Sequence, residues 1–493
     1  MPEKTAARHL RTGNSGLDNI LHGGLQSGHV YLVEGDPGSG KTTLGLQFLL
    51  EGMARGERTL YITLAESRDE LEGVAASHGF DISSMELFEV QPPELDGSGS
   101  DQYTVFHPSE VELVDVMQNI LSRVEKTKAE RIVFDSMSEI RMLARDPLRY
   151  RRQILTLKQF FVGRKCTVLL LDDRTGSADD MQLQSICHGA IRMESIQQPY
   201  GPQRRQIQVL KMRASRFREG QHDYKIARGG IQVFPRLISA EHHPEDVDRN
   251  QLPSGIGELD KLFGGGVGRG TTSLFLGPAG SGKSTLATKF LFSGAIRGER
   301  GVMFTSDETL ESVRTRCSGL GIPLETHLDD KTIQLKKIQP AGLSPGEFTA
   351  YIRSEVEQNS CRIVIIDSIN GLLTAMQEQT MMVQLHELFS YLNHMGATTF
   401  VVMAQFGVLG VQMGSPLDIS YLADNVLLFR YFEAKGSVRQ AISVVKRRSG
   451  PHERSIRELR LASQLIEIGP PLHDFEGILT GVPKFVGSGT PLL

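Results

Sequence analysis

The sequence predicts an α/β protein made of two tandem domains, each with a mostly parallel, twisted sheet flanked by helices. Three observations support this fold class. A glycine-rich octapeptide occurs twice, at residues 35–42 and 277–284, and the residues around it repeat as well. The chain of 493 residues is also too long for a single hydrophobic core. Each half of the chain is therefore expected to form one such domain.

Both octapeptides, GDPGSGKT and GPAGSGKS, fit the P-loop pattern G-x-x-x-x-G-K-[S/T]. The glycines of this pattern let successive backbone N–H groups curve around a phosphate, the lysine neutralises phosphate oxygens, and the final hydroxyl ligates Mg²⁺. A short apolar run precedes each motif and an apolar-periodic stretch follows it, which predicts strand, loop and helix. The predicted nucleotide-binding residues are Gly38, Ser39, Gly40, Lys41, Thr42 and Thr43 in the first domain, and Gly280, Ser281, Gly282, Lys283, Ser284 and Thr285 in the second.

The repeat extends well beyond the P-loops. At an offset of 242 residues, Gly13 pairs with Gly255 and Gly79 with Gly321, whereas further along Asp135 pairs with Asp367 at an offset of 232. The first half therefore carries about ten extra residues, which we assign to a polar, glycine-rich surface loop at residues 92–102.

This repeat sets the predicted domain boundaries. Residues 1–238 form the first domain and residues 251–477 the second. Residues 239–250 are polar and lack apolar periodicity, which predicts a linker. Residues 478–493 are predicted to be a short C-terminal tail.

Acidic residues follow predicted strands at matching places in both halves. Asp135 and Asp367 end apolar runs, where a carboxylate can hold Mg²⁺ next to a P-loop together with Thr42 or Ser284. The alternative role for either aspartate is a helix N-cap. Another strand is followed by Glu66 in the first half, and by Asp307 and Glu308 in the second. We predict that these acids are catalytic and polarise a water or a hydroxyl; the alternative is a solvated loop charge or the cap of the next helix.

A third repeated element is a strand that ends in Lys-x-Arg. It contains Lys211 and Arg213 in the first half, and Lys446 and Arg448 in the second. The period of a strand places both cations on one face, as a γ-phosphate sensor requires. The alternative is a pair of solvated residues at a sheet edge.

The composition is that of an ordinary globular protein. The net charge is −4 and 23% of residues are charged, so nucleic acid is not an expected partner. Four cysteines without a C-x-x-C pair indicate reduced thiols and a cytoplasmic location. Residues 395–417 carry no charge, but their glycines favour a buried strand and a loop over a membrane span.

Taken together, these elements resemble the RecA-like P-loop ATPases, and specifically the tandem-domain KaiC family, over nearly the whole chain. The resemblance implies two RecA-like P-loop NTPase domains and a homohexameric double ring that binds ATP and Mg²⁺ between subunits. It also implies that the two Lys-x-Arg pairs reach a neighbour's nucleotide. Glu66 would activate water in the first ring, and Asp307 and Glu308 would serve the second.

KaiC proteins also use their second ring as an autokinase and phosphatase that acts on an adjacent Ser-Thr pair. The matching segment here contains Ser420 followed by Tyr421, which predicts phosphorylation at Ser420 alone rather than an ordered two-site cycle. Ala65 stands where the family usually has a second glutamate, which implies slower or differently organised hydrolysis in the first domain. The sixteen residues after Gly477 are fewer than in the tail that clock proteins of this family offer to their activating partner, so the resemblance gives only weak support to a timekeeping role. We expect a regulatory or signalling role with protein partners.

Two other classes of function remain open. A RecA-like fold also suits a DNA-binding ATPase, with the glycine-rich loop at residues 406–415 lining a channel. A basic run near the first sheet would favour that class, although the acidic net charge opposes it; the run consists of Arg141, Arg145, Arg149, Arg151 and Arg152. The third class is a signalling scaffold that is switched by nucleotide and has little turnover.

Overall fold

The computed structural model describes residues 8–90, 108–174, 180–198, 201–242, 250–375, 378–405, 419–479 and 482–487. The chain divides into two compact units, Met1–Arg236 and Leu237–Leu493. The predicted loops at 92–102 and 406–415 and most of the predicted linker lie outside the described residues.

The first unit contains a nine-stranded sheet in the order β11-β10-β9-β8-β3-β7-β6-β4-β5. Strands β3 to β8 run parallel, and β9, β10 and β11 continue the sheet in antiparallel fashion. A small pair, β1 and β2, lies outside it. The strands are β1 His9–Leu10, β2 Leu25–Gln26, β3 Val30–Gly35, β4 Thr59–Thr63, β5 Leu87–Glu89, β6 Arg131–Asp135, β7 Thr167–Asp173, β8 Gly189–Ile196, β9 Arg204–Met212, β10 Gln221–Ala227 and β11 Gly230–Phe234.

Helices cover both faces of this sheet and enclose two hydrophobic clusters. Their starts follow local chemistry: α3 begins with a capping box of Ser67 and Glu70, and α6 with an Asp146 cap followed by Pro147. The helices are α1 Ser15–Ile20, α2 Lys41–Ala54, α3 Arg68–His78, α4 Pro108–Thr127, α5 Met137–Ala144, α6 Pro147–Gly163 and α7 Asp180–Ile186.

The second unit repeats this plan with the strand order β16-β15-β17-β18-β14-β19-β20-β21-β22. Strands β14 to β19 are parallel, and β20, β21 and β22 are antiparallel additions. The strands are β12 Gln251–Leu252, β13 Val267–Gly268, β14 Thr272–Gly277, β15 Gly301–Thr305, β16 Ile333–Lys337, β17 Ile363–Asp367, β18 Thr398–Ala404, β19 Asn425–Ala434, β20 Ser437–Arg447, β21 Arg457–Ala462, β22 Leu465–Pro471, β23 Phe475–Glu476 and β24 Lys484–Phe485.

Helices pack on both faces of the second sheet as well. They are α8 Gly257–Leu262, α9 Lys283–Ile296, α10 Leu310–Gly319, α11 Glu325–Asp329, α12 Pro345–Glu357, α13 Asn370–Ala375 and α14 Glu378–His394, with 3₁₀ turns at Ser239–Glu241 and Pro340–Gly342. The predicted fold class, tandem RecA-like α/β domains, is confirmed.

Residues at both ends of the second unit pack against it. The N–H of Ser239, in the predicted linker, donates to Glu387 at 2.8 Å. In the predicted tail, β24 pairs with β23, and the rings of Phe475 and Phe485 lie 5.4 Å apart. Within the uncharged stretch 395–417, β18 is a buried strand. No helix among the described residues has the length and apolarity needed to cross a membrane.

The strand registers place the predicted acids at the same sheet edge as the P-loops. Thr63 of β4 is level with Asp135 of β6, which is level with Leu171 near the end of β7. In the second sheet, Thr305 is level with Asp367. Because the P-loops follow β3 and β14 at this edge, each sheet collects a phosphate cradle and several carboxylates at the carboxyl ends of its parallel strands.

Candidate nucleotide sites of the two domains

Each P-loop leads directly into a helix through a glycine with left-handed backbone geometry. Gly40 has φ = 94° and Gly282 has φ = 97°. A Cβ atom at Gly40 would lie 2.7 Å from Ile226 Cδ1, and one at Gly282 would lie 2.8 Å from Leu459 Cδ2. Only glycine tolerates both the positive φ and the lack of space for a Cβ atom. This geometry lets α2 and α9 begin directly after the P-loop, where their first N–H groups can bind an anion.

A tyrosine on another strand of the sheet holds each P-loop backbone in place. The hydroxyl of Tyr224 on β10 donates to the Ser39 carbonyl at 2.5 Å. In the second domain, the hydroxyl of Tyr431 on β19 donates to the Ala279 carbonyl at 3.1 Å. Both P-loops are thus restrained by a side chain from outside the motif.

The two P-loop lysines have different partners. Lys41 Nζ donates to the carbonyls of Gly35 (3.0 Å) and Asp36 (3.1 Å), and forms an ion pair with Asp173 Oδ1 at 2.7 Å. Lys283 Nζ donates to the Pro278 carbonyl at 2.6 Å, and burial lowers its pKa to about 8 although Asp367 and Asp307 oppose this shift.

The ion pair of Lys41 depends on a residue that the second domain lacks. Asp173 is level with Gly35 at the end of β7, whereas Ala404 is level with Gly277 at the end of β18. In the first domain, the Asp173 carboxylate therefore pairs with Lys41 and takes the place of a phosphate oxygen.

The predicted Mg²⁺ residues of the first domain contact each other. Asp135 Oδ2 accepts hydrogen bonds from the hydroxyls of Thr42 (3.0 Å) and Tyr61 (2.6 Å). Burial raises the pKa of Asp135, while the bonds from Tyr61 and Thr42 counteract the rise. This carboxylate is therefore anchored by two hydroxyls.

Asp367 occupies the corresponding place in the second domain with fewer partners. Burial raises its pKa to about 6, and the Ser284 hydroxyl partly offsets the rise. Its Oδ2 atom is buried and has no hydrogen-bond partner among the described residues. Met303 stands where the first domain has Tyr61, at an offset of 242. A buried carboxylate oxygen without a partner, next to a serine hydroxyl, is a donor set that fits Mg²⁺.

Glu66 follows β4 at the edge of the first sheet that carries the P-loop. Thr63 Oγ1 binds both the N–H (3.0 Å) and the carbonyl (2.8 Å) of Glu66, which fixes its backbone. Burial raises the pKa of the Glu66 carboxyl to about 7, Asp135 and Glu70 add to the shift, and Lys41 opposes it. Oε2 of Glu66 is buried without a hydrogen-bond partner among the described residues. Such a group is poised to exchange a proton near neutral pH.

The two acids of the second site are both held by side chains. Asp307 Oδ2 accepts from Ser368 Oγ at 2.6 Å, and Asp307 Oδ1 accepts from Ser306 Oγ at 2.9 Å. Glu308 Oε2 accepts from Arg316 NH2 at 2.9 Å. The second site thus restrains its acids, whereas no described residue pairs with Oε2 of Glu66 in the first.

The Lys-x-Arg pairs do not lie at the P-loop edge of their own domains. Lys211 is level with Ala190 and Leu32 near the start of β3, and Lys446 is level with Val426 and Leu274 near the start of β14. The P-loops follow the opposite ends of β3 and β14. The structure therefore does not bring these cations to the nucleotide site of their own domain.

In the first domain these cations bind backbone carbonyls in the segment just before β8. Lys211 Nζ donates to the carbonyls of Gln184 (2.6 Å) and Cys187 (3.0 Å), and Arg213 NH2 donates to that of Ser185 at 2.8 Å.

The second domain uses the same arrangement at the predicted phosphoacceptor. Lys446 Nζ donates to the Ser420 carbonyl at 2.9 Å, and Arg448 NH2 donates to that of Tyr421 at 2.5 Å. The predicted acceptor Ser420 therefore lies next to the predicted γ-phosphate sensor, and the side chain of Tyr421 is exposed.

Three contacting residues were not found from the sequence: Tyr61, Asp173 and Arg316. Each differs from its counterpart in the other half of the repeat, which is Met303, Ala404 or Val74. The differences are visible when the halves are aligned, but their contacts with a lysine or a carboxylate require the packed structure.

Comparison with known proteins agrees with this geometry. The profile of the family described as "ATPase: KaiC" matches residues 10–238 and 252–473. The chain belongs to the KaiC ATPase family. Membership of an ATPase family implies that the chain binds ATP.

Curated KaiC proteins align over almost the full chain. The circadian clock oscillator protein KaiC of Picosynechococcus sp. is 27% identical over 485 residues, which is 96% of this chain and 92% of that protein. The circadian clock protein KaiC3 of Synechocystis sp. is 26% identical over 498 residues, 98% of this chain and 96% of that protein. Both KaiC domains of this chain are thus covered.

Proposed function

We propose that this KaiC-family protein is a hexameric ATPase that binds ATP between subunits in both domains and phosphorylates Ser420 in the second. The observation that carries the proposal is the position of the Lys-x-Arg pairs, at the sheet edge opposite the P-loop of the same domain. A single chain offers a phosphate cradle at one edge and γ-phosphate cations at the other.

A ring of subunits completes such sites. When one chain's P-loop meets the next chain's Lys-x-Arg edge, the contact is heterologous, and repeating it closes a ring if the rotation allows. Lys211 and Arg213 would then serve the first ring and Lys446 and Arg448 the second. The cations would stabilise the charge that develops on the transferring phosphoryl group.

Each site has residues for the remaining tasks of phosphoryl transfer. Lys41 or Lys283 neutralises the phosphate oxygens. Thr42 with Asp135, or Ser284 with Asp367, would hold Mg²⁺, which when bound neutralises charge on the β- and γ-phosphates.

Glu66 suits hydrolysis in the first site, because its Oε2 atom, which no described residue binds, can accept a proton from an attacking water. The water oxygen forms the new bond to the γ-phosphorus, the bond to the bridging oxygen breaks, and ADP leaves.

In the second site, the attacking group would be the Ser420 hydroxyl of a neighbouring subunit. Its oxygen bonds to the γ-phosphorus, its proton passes to Glu308 with Asp307 nearby, and ADP leaves. Lys446 supports this assignment, because it binds the Ser420 carbonyl and so ties the acceptor turn to the strand that carries the cations.

Intact-mass spectrometry tests the kinase activity. After incubation with Mg-ATP, the native protein should gain one phosphate, while the Glu308→Gln and Ser420→Ala variants gain none. Tyr421→Phe is the matched control, because it keeps the turn and should still gain one phosphate. Phosphate on Ser420→Ala but not on Tyr421→Phe would assign the acceptor to Tyr421.

Mixing two inactive variants tests whether sites are shared. Lys283→Ala damages the cradle, and Arg448→Ala damages the opposite edge. In a mixed ring, the intact P-loop of the second variant meets the intact Arg448 of the first, so second-site activity should recover. Activity that stays at the level of the separate variants would refute a site between subunits.

We also propose a regulatory role, since the relatives are named as circadian clock proteins. Protein partners would respond to the nucleotide and phosphorylation state. ATP turnover measured alongside ring assembly separates this function from a scaffold with little hydrolysis.

We further propose a cytoplasmic location, because the four cysteines are free and buried, as in a reducing compartment.

A further inference from the structure

The Glu308 carboxylate of the second domain is held at one oxygen only. Arg316 donates to Oε2 through both Nε (3.3 Å) and NH2 (2.9 Å). The described residues provide no hydrogen bond to Oε1. Arg316 NH1 is buried and has no hydrogen-bond partner among the described residues. The ion pair therefore fixes one half of the carboxylate and leaves the other half open.

The fold places Arg316 there with little freedom. Thr309, the residue that follows Glu308, caps the N-terminus of helix α10, and Val313 and Cys317 are buried on the inner face of this helix. Arg316 lies in the last turn of this helix, and its side chain is only 20% exposed. Because the helix packs in the core, the Arg316 side chain loses little further conformational freedom when its guanidinium binds Glu308.

The backbone of Glu308 is fixed separately. Lys337 Nζ donates to the carbonyls of Ser306 (2.6 Å) and Glu308 (3.1 Å). Lys337 is level with Thr305, and Glu89 is level with Thr63 at the same position in the first domain. With the main chain already held, the additional effect of Arg316 falls on the orientation of the Glu308 side chain.

Among the described residues of the first domain, none anchors Glu66 in this way. At the offset of 242, Val74 replaces Arg316. Glu66 Oε2 is buried and lacks a hydrogen-bond partner in the part of the chain that the structure describes. The arginine anchor thus belongs to the second domain, where the proposed acceptor is a protein hydroxyl rather than a water.

We propose that Arg316 is a positioning residue that holds Oε2 of Glu308 so that Oε1 faces the attacking group of the second site. The inference rests on the proposed function of that site. A small water can approach a loosely oriented carboxylate from several directions. A side-chain hydroxyl of a neighbouring subunit arrives along one path, so proton transfer from it requires a fixed acceptor.

The rate of Ser420 phosphorylation in the full-length protein tests the role of Arg316. A Glu66→Gln parent suppresses ATP consumption by the first domain, and intact-mass spectrometry follows phosphate addition over time. Adding Arg316→Val, the first-domain residue, should lower the maximal phosphorylation rate about tenfold, while the ATP concentration that gives half the maximal rate stays within about twofold. Arg316→Lys should recover part of the rate, because one N–H donor can still reach Oε2.

Arg314→Val is the matched control. Arg314 lies on the same helix and forms a surface ion pair with Glu325 at 3.5 Å, outside the site. It should leave the phosphorylation rate at the parent value. A rate that is unchanged or raised in Arg316→Val, or a lysine variant no better than the valine variant, would overturn the inference. A parent that adds no phosphate to Ser420 would instead refute the proposed function of the second site, and the inference with it.

Discussion

The two nucleotide sites share a backbone cradle but pair their charges in opposite ways. In the first site, the cation Lys41 is bound by the Asp173 carboxylate, and Oε2 of the acid Glu66 has no partner in the part of the chain that the structure describes. In the second, the acid Glu308 is bound by Arg316, and Lys283 contacts only neutral oxygens among the described residues. The first site thus neutralises its P-loop lysine, and the second neutralises its catalytic acid.

This difference shows that a duplicated P-loop domain can diverge without changing its backbone. A nucleotide entering the first site has to displace a carboxylate from Lys41, and then meets an acid whose pKa is close to neutral. A nucleotide entering the second site finds an available lysine and an acid that is already oriented. The first arrangement suits hydrolysis by water, and the second suits transfer to a fixed hydroxyl.

The largest expected effect comes from removing the proton acceptors one site at a time. Glu66→Gln and Glu308→Gln should each lower turnover at their own site by about 100-fold, because an amide cannot take a proton. In the two single variants and the double variant, the rate of ATP hydrolysis measures the first site, and the rate of phosphate addition to Ser420 measures the second.

The control for this pair is Glu72→Gln, which alters an exposed ion pair with Arg68 on α3. It should hydrolyse ATP at the native rate. A double variant that retains native turnover would show that neither glutamate is the proton acceptor, and the comparison of the sites would lose its chemical basis.

The second effect is a pH dependence restricted to the first site. Only the ionised form of Glu66 accepts a proton, and its pKa is raised to about 7, mainly by burial. Turnover in a Glu308→Gln protein should therefore fall about tenfold between pH 8 and pH 6. Initial rates across this range give the apparent pKa. An acid limb near 4.5, the ordinary value for glutamate, would contradict the assignment.

A smaller effect is expected on nucleotide affinity. Asp173→Asn removes the carboxylate that competes for Lys41 and should raise the ATP affinity of the first site about threefold, a modest gain because Asp173 is partly exposed. Ala404→Asp transfers the carboxylate to the second site and should lower its affinity. Titration with a fluorescent ATP analogue, with the other P-loop lysine changed to alanine, measures each site separately.

Asp69→Asn, an exposed substitution on α3, controls for the change in net charge. If it matches Asp173→Asn, the effect is a general one of protein charge. If Ala404→Asp leaves the affinity of the second site unchanged, the carboxylate at this strand end does not compete with phosphate.

The smallest effect concerns the anchoring of Asp135. Tyr61→Phe removes a buried 2.6 Å hydrogen bond to Oδ2 and leaves only the bond from Thr42. The first domain should lose about 1 kcal/mol of its free energy of unfolding. Urea unfolding followed by far-UV circular dichroism measures the loss. An unchanged midpoint would show that the Tyr61 bond adds nothing to the anchoring by Thr42.

Much of each site was predictable because its signals are local. The P-loop glycines, the lysines and the strand-terminal aspartates follow from short patterns, and the strand registers bring Asp135 and Asp367 to the P-loop edge. The Lys-x-Arg pairs were predicted at strand ends, and Lys211 and Lys446 do lie near the ends of β9 and β20. Their roles in binding nucleotide stay predictions.

The partners of the charged groups were not predictable. Tyr61 lies within an apolar strand and reads as core, yet its hydroxyl reaches Asp135 on a different strand. Arg316 lies on a helix surface, where an arginine is usually solvated, yet it bonds to Glu308. Such contacts depend on how helices and strands pack, and no short sequence pattern encodes that distance.

The sequence by itself determined the α/β class, the duplication and the two phosphate cradles, because glycine placement and apolar periodicity constrain the backbone residue by residue. Only the tertiary structure decided which cation meets which acid. An ion pair forms wherever packing brings opposite charges within reach, so two nearly identical motifs acquired opposite partners from Asp173 in one domain and Arg316 in the other.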